Sequence, residues 1–94
     1  MLYEVGCHKV DVTPPVGVWL AGYAARTEPS KAVYHPLRAV TTVIGDGQTD
    51  VLLVSIEWLG FYDLTEEARR RISEACGIPR SHIILCGTHT HCGP

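Results

Sequence analysis

Two histidines and a cysteine stand close together in residues 87–94, which read GTHTHCGP. In an extended chain, side chains two residues apart point the same way, so we expect His89 and His91 to face one site and Cys92 to face away from it. Imidazole is a ligand for zinc and related divalent metals. A catalytic zinc typically takes three protein ligands and a structural zinc takes four, so this pair alone completes neither kind of site.

Three roles remain open for the histidine pair on the residues alone: metal binding, catalytic or substrate contact, and structural polar contact. In a metal hydrolase, the metal would lower the pKa of a water molecule to about 7 and so make hydroxide available. A Cys–His nucleophilic dyad would require a turn that brings Cys92 to an imidazole, because adjacent residues of a strand diverge. A phosphate-binding P-loop is excluded because the chain has no Gly-Lys-Ser/Thr sequence.

The residues before this segment predict an α/β fold whose mixed sheet has the element order β-β-β-α-β. Apolar residues that alternate or run continuously indicate strands over residues 3–12, 37–44, 50–56 and 82–86. Residues 45–48 (GDGQ) are typical of a hairpin turn. We expect the first strand to be buried on one face, since Val10 and Val12 alternate with charged residues, and the third to be buried on both faces.

A helix is predicted between the third and fourth strands. Asp63 or Thr65 is its expected N-cap, and Gly77 is expected to end it. Its apolar face is predicted to comprise Leu64, Ala68, Ile72 and Ala75. The strand, helix and strand form a parallel βαβ unit that leads into the His-Thr-His loop. Since sites form beyond the carboxyl ends of such strands, we expect Glu57, Trp58 and residues 88–94 to share one edge of the sheet.

Residues 13–36 form a long segment rich in proline and glycine, and either it shapes a pocket or it covers the core. With 94 residues, the chain is expected to form one small domain. A net charge of -2 argues against nucleic acid as a partner. The sequence contains neither a signal peptide nor a transmembrane segment, so a cytoplasmic location is expected. We expect reduced cysteines, with Cys7, Cys76 and Cys86 buried as small apolar residues.

Four blocks occur in an order that resembles the N-terminal domain of neutral (alkaline, non-lysosomal) ceramidases. They are residues 11–15 (DVTPP), 21–24 (AGYA), the apolar strand 51–56, and 87–94 (GTHTHCGP). The resemblance spans nearly the whole chain and implies that residues 1–94 are the N-terminal fragment of a ceramidase-like catalytic domain. Enzymes of this family hydrolyse the linear amide bond of ceramide to give sphingosine and a fatty acid.

The resemblance implies a role for several residues. The family holds a catalytic zinc with two histidines, a glutamate and a tyrosine, and His89 matches the first histidine ligand. His91 matches a catalytic residue that contacts the substrate beside the metal, and Gly22 matches a glycine that lines the substrate site. The other three ligands belong to later segments of the family's chain, so the zinc site is incomplete here and the remainder of the catalytic domain is an expected partner. Members of the family are often secreted.

The chain also departs from the family pattern. Cys92 stands where the family usually has serine, and Tyr34 and Val40 stand where it often has histidine and arginine. Glu57 is a candidate to orient a metal-binding histidine, or else a solvated acid at the end of a strand. The leading interpretation is the N-terminal part of a zinc-dependent amide hydrolase that acts on a small-molecule or lipid amide. The alternative is a truncated, inactive fragment or a small-molecule binding module, and we expect the isolated chain to be inactive.

Overall fold

A four-stranded mixed sheet with one helix forms the chain, as described by a computed structural model of residues 2–94. The strands lie in the order β1-β2-β3-β4. Their bounds are β1 Glu4–Asp11, β2 Arg38–Gly45, β3 Asp50–Ile56 and β4 Ile83–Gly87, and helix α1 spans Thr65–Cys76 between β3 and β4. β1, β2 and β3 pair antiparallel, whereas β3 and β4 pair parallel. The predicted α/β class, element order and parallel βαβ unit are therefore confirmed.

The turn between β2 and β3 is built around one carboxylate. Asp46 Oδ1 accepts hydrogen bonds from the backbone N–H groups of Thr49 at 2.8 Å and Gln48 at 2.9 Å. These bonds hold the pKa of the Asp46 carboxyl below its usual value, because they favour its ionised form. Gly47 takes the left-handed conformation that the turn requires, with φ of 92°. The hairpin predicted from GDGQ is confirmed.

Helix α1 begins differently from the prediction. Its N-cap is Leu64, which makes no side-chain capping bond. A 3-10 turn over Tyr62–Leu64 runs directly into the helix, so Asp63 lies inside that turn, and the Thr65 hydroxyl donates to the Tyr62 carbonyl at 2.6 Å. The helix ends as predicted, because Gly77 adopts a φ of 72° and donates to the Ser73 carbonyl at 2.9 Å.

The core lies on one face of the sheet, beneath α1 and the residues that follow it. The buried side chains are Ala39, Leu52, Val54, Ile56, Ile78 and Ile83. Ile72 of α1 packs against them, but Leu64 and Ala75 are exposed, so only part of the predicted helix face is covered. No helix among residues 2–94 has the length and apolar character needed to cross a bilayer.

Three burial predictions are wrong: that β1 is buried on one face, that β3 is buried on both faces, and that Cys7, Cys76 and Cys86 are buried. All eight residues of β1 are exposed, Val51 of β3 is exposed on the face opposite α1, and all four cysteines are exposed. A helix is about 10 Å wide and strands lie about 4.8 Å apart, so a single helix covers only about two strands. β1 therefore lies beyond the reach of α1. Cys7 and Cys86 have side chains on the uncovered face, since they pair with Thr42 and Ser55 rather than with the residues over the core.

The ends of the long segment 13–36 are joined beside the sheet. Asp11 Oδ1 accepts from the Thr13 N–H at 2.8 Å, which turns the chain out of β1. Hydrogen bonding by the Thr13 side chain, together with this backbone bond, lowers the pKa of the Asp11 carboxyl. Thr13 Oγ1 then accepts from the Leu37 N–H, and the Val12 N–H donates to the Leu37 carbonyl, both at 2.8 Å. The Asp-Val-Thr-Pro block thus works as a clasp that closes residues 13–36 into a loop.

Candidate functional site

The segment after β4 lies against the residues that follow β3, on one edge of the sheet. The Thr88 N–H donates to the Ile56 carbonyl at 2.8 Å, and the His89 N–H donates to the Trp58 carbonyl at 3.1 Å. Parallel pairing therefore continues past the ends of both strands. The expectation that residues 57–58 and 88–94 share an edge is confirmed.

The imidazole of His89 is oriented by a backbone carbonyl. Its Nδ1 atom lies 3.1 Å from the Leu59 carbonyl oxygen. Because a carbonyl oxygen can only accept, Nδ1 must carry the proton, and Nε2 keeps its lone pair in the neutral ring. His89 also has a φ of 67°, an uncommon conformation for a residue with a side chain. Backbone strain of this kind tends to cluster at functional sites.

The structure brings His89 and His91 together. Their ring centroids are 5.1 Å apart with an interplanar angle of 80°. The predicted juxtaposition is present, but the φ of His89 shows that a turn produces it, not an extended strand. Within residues 2–94, no three side chains from histidine, cysteine, aspartate and glutamate are grouped closely enough to hold a metal ion. The free Nε2 atom of His89 has the chemistry of a single metal ligand, and zinc sites take three or four protein ligands.

Gly22 lies directly against the ring of His91. A Cβ atom at Gly22 would lie 2.7 Å from both Cγ and Nδ1 of His91, and the backbone of Gly22 has a φ of 105°. Both facts require glycine, one because of space and the other because of backbone conformation. The Ala21 N–H also donates to the Gly93 carbonyl at 2.8 Å. Residues 21–22 therefore contact the His-Thr-His segment at both His91 and Gly93.

Two further residues of the loop contact His91. Arg26 Nη2 donates to the His91 carbonyl at 2.8 Å, and its guanidinium carbon lies 5.2 Å from the centroid of the Tyr23 ring. The Tyr23 ring in turn meets the His91 ring edge-on, with centroids 5.1 Å apart. Sequence reasoning missed Arg26. The signal that was present is its position four residues after Gly22, within the same loop.

A separate cavity opens on the other side of the His-Thr-His segment. Its volume is about 420 Å³, and its lining comprises Thr13, Pro14, Leu20, Ser30, Ala32, Val33, Tyr34, His35, Leu37, Glu57, Thr90 and Cys92. The loop therefore shapes a pocket, as one of the two sequence-based interpretations stated. Thr90 and Cys92 line this cavity whereas His89 and His91 do not, so the two imidazoles and the Cys92 side chain lie on different sides of the segment.

Neither Glu57 nor Cys92 forms a side-chain hydrogen bond to the ring of His89 or His91 within residues 2–94. Glu57 lines the cavity and, among the described residues, makes no hydrogen bond to His89 or His91. The orienting partner of His89 is the Leu59 carbonyl instead. The thiol of Cys92 likewise has no hydrogen bond to an imidazole in residues 2–94, so the structure does not show a Cys–His dyad.

The comparisons with known proteins find a likeness among solved structures and none elsewhere. No family model matches the chain, and no curated protein matches it. Among solved structures, the chain is similar to neutral ceramidase from Pseudomonas aeruginosa, with a TM-score of 0.85 and 22% sequence identity. The match covers 98% of this chain and 16% of that enzyme's chain. This chain therefore has the fold of a small part of that ceramidase, and it spans far less than the enzyme's full length.

The contact between Gly22 and His91 gives a testable prediction. Gly22→Ala should lower the free energy of unfolding by about 2 kcal/mol more than Gly17→Ala, because overpacking costs about 1–3 kcal/mol. Gly17 is a matched control, since its φ of 101° is similar but nothing lies within 4 Å of its Cβ position. Chemical denaturation of the three proteins measures the difference. Equal destabilisation by the two substitutions would contradict the close packing of Gly22 on His91.

Proposed function

We propose that this chain is the first part of a zinc-dependent amide hydrolase related to neutral ceramidase. The observation that carries the proposal is the His89–His91 pair at the end of a parallel βαβ unit, with His89 held in the tautomer that leaves Nε2 free. The fold shared with part of Pseudomonas aeruginosa neutral ceramidase supports the same conclusion. The order of the sequence blocks supports it independently of the fold.

His89 would hold the metal through Nε2, while the Leu59 carbonyl keeps its ring oriented. Zinc, when bound, supplies Lewis-acid polarisation of the amide carbonyl and lowers the pKa of a water molecule. His91 would lie beside the metal and contact the substrate or the charge that develops on it. Gly22 would allow this arrangement, because any larger residue at that position would displace the His91 ring.

The exposed apolar surface supports the interpretation that further parts of a catalytic domain pack here. Val5, Ile44 and Ile84 have 63%, 43% and 52% exposure on the face of the sheet opposite α1. Monomeric soluble proteins seldom leave a contiguous apolar face of this kind in water. We propose that the remainder of the domain covers this face and supplies the other three zinc ligands. The isolated chain would then bind zinc poorly and hydrolyse no amide.

The direct test uses the chain extended to the length of a ceramidase. We expect one zinc ion per extended protein and hydrolysis of an N-acyl amide. His89→Ala should abolish stoichiometric zinc binding and lower activity at least about 100-fold. Replacing a residue that merely hydrogen-bonds to a metal ligand commonly lowers metal affinity or activity about 10–100-fold, so loss of a ligand itself should cost at least as much. His8→Ala on the exposed strand β1 is the control and should change neither. Full zinc content and activity after His89→Ala would contradict the role of His89.

A second candidate function is a small-molecule binding module, and the cavity beneath the loop favours it. Its volume of about 420 Å³ is within the 300–1,000 Å³ of typical ligand pockets, and its walls include Leu20, Val33 and Leu37. Such walls suit a small apolar ligand.

This candidate predicts saturable binding of a small alcohol such as cyclohexanol to the 94-residue chain, measured by amide chemical shifts in NMR. Leu20→Asn should weaken that binding about tenfold, since a buried leucine contributes about 1.5–3 kcal/mol. Leu64→Asn is the control, because Leu64 is 51% exposed on the surface near α1. Shifts that are absent, or that are equally reduced by both substitutions, would exclude binding in the cavity.

A further inference from the structure

We propose that Arg26 is a positioning residue that fixes His91 at both its backbone and its ring. The inference rests on the proposed function for the role of His91 in a reaction. The contacts that carry it are independent of that function. They link four side chains in sequence: Arg26, Tyr23, His91 and His89.

The backbone of His91 is held by a charge-assisted hydrogen bond. Arg26 Nη2 donates to the His91 carbonyl at 2.8 Å, and the bond is partly buried. Hydrogen bonds from an ionised donor are shorter and stronger than those between neutral groups. The bond joins residues 65 positions apart in the chain, so it connects the loop directly to the His-Thr-His segment.

The ring of His91 is held through Tyr23. The guanidinium carbon of Arg26 lies 5.2 Å from the Tyr23 ring centroid, within the range of a cation–π interaction. The Tyr23 ring meets the His91 ring at 65°, the edge-to-face arrangement that aromatic pairs prefer. A turn places Tyr23 and Arg26 together, because the Arg26 N–H donates to the Tyr23 carbonyl at 3.1 Å. The Arg26 guanidinium therefore restrains His91 at two places: its backbone carbonyl directly, and its imidazole ring through Tyr23.

In the described part of the chain, Arg26 lacks the ion pairs that the three arginines of α1 form. Arg69, Arg70 and Arg71 all form ion pairs with glutamates of α1. Within residues 2–94, Arg26 pairs with no carboxylate, and its buried Nε atom has no hydrogen-bond partner. Burying part of a cation without an opposite charge is unfavourable. Among the described residues, the partners of this guanidinium are instead the His91 carbonyl and the Tyr23 ring.

The proposed role of Arg26 concerns the position of His91 and leaves metal binding by His89 unaffected. His89 keeps its own anchors at the Trp58 and Leu59 carbonyls, neither of which involves Arg26. Loss of Arg26 should therefore release His91 and leave His89 in place. Catalytic groups need to be held within about 0.5 Å of their productive position, so a released His91 would lower turnover without removing zinc.

The first test uses NMR on the 94-residue chain. Arg26→Met keeps an unbranched stem but removes the charge and the N–H donors. We expect it to abolish the nuclear Overhauser effect between the Tyr23 and His91 rings and to shift the His91 imidazole signals. The His89 signals and the β2–β3 amide signals should be retained. Arg80→Met, which changes an exposed arginine in the same way, should leave every one of these signals unchanged.

A Tyr23–His91 contact that persists in Arg26→Met would overturn the proposal. Should that variant fail to fold, Tyr23→Leu removes the aromatic link and leaves the Arg26–His91 bond possible. It should shift the His91 ring signals while the β2–β3 signals stay constant, and unchanged His91 signals would overturn the proposal.

In the extended protein, Arg26→Met should keep full zinc content and lower kcat about tenfold or more. Loss of zinc together with activity would contradict a role confined to His91. If the unsubstituted protein holds no zinc and hydrolyses no amide, the proposed function fails, whereas the NMR result on Arg26 stands by itself.

Discussion

The parallel pairing of β3 with β4 is the constraint on which the candidate site depends. It brings the carboxyl ends of two strands to one edge of the sheet. Beyond the strands, the Thr88 N–H donates to the Ile56 carbonyl and the His89 N–H donates to the Trp58 carbonyl. The next carbonyl, that of Leu59, then accepts from the His89 ring. The orientation of a candidate metal ligand is thus an extension of sheet pairing. A change of register between β3 and β4 would displace the backbone and the imidazole together.

The loop of residues 13–36 supplies the second constraint. Its ends are joined by the Thr13–Leu37 clasp, and its middle contacts residues 91–93 through Ala21, Gly22 and Arg26. The site segment is therefore held between the end of a strand and a closed loop. The same loop bounds the separate cavity that Thr90 and Cys92 line. Residues 89–92 form the boundary between two environments, one with imidazoles and one with mostly apolar walls.

Local sequence signals predicted two of the locally determined features but missed the start of α1, whose N-cap is Leu64 rather than Asp63 or Thr65. The turn at Asp46 and the helix end at Gly77 follow from short-range backbone requirements, and the structure has both. The βαβ unit placed Glu57 and residues 88–94 on one edge, because topology alone requires it.

The remaining features depend on long-range contacts or on neighbouring layers. The burial of β1 was mispredicted because an alternating pattern does not reveal how many strands the helix covers. The partner of the His89 ring is the backbone carbonyl of Leu59. Because every residue has a backbone carbonyl, the residue type at position 59 could not reveal this hydrogen bond. The contact between Arg26 and His91 crosses 65 positions and follows no periodicity. Topology placed Glu57 on the correct edge, where it lines the cavity, whereas the ring of His89 has the Leu59 carbonyl as its partner.

The central claim is that the His89–His91 segment is held by two separate elements, the end of β3 and the loop of residues 13–36. Amide hydrogen exchange of the 94-residue chain tests it most directly at two N–H groups, that of His89 bonded to Trp58 and that of Ala21 bonded to Gly93. The account predicts that both exchange at least about tenfold more slowly than in an unstructured peptide, equivalent to an opening free energy above about 1.4 kcal/mol. Exchange of either amide at the rate of an unstructured peptide would contradict it.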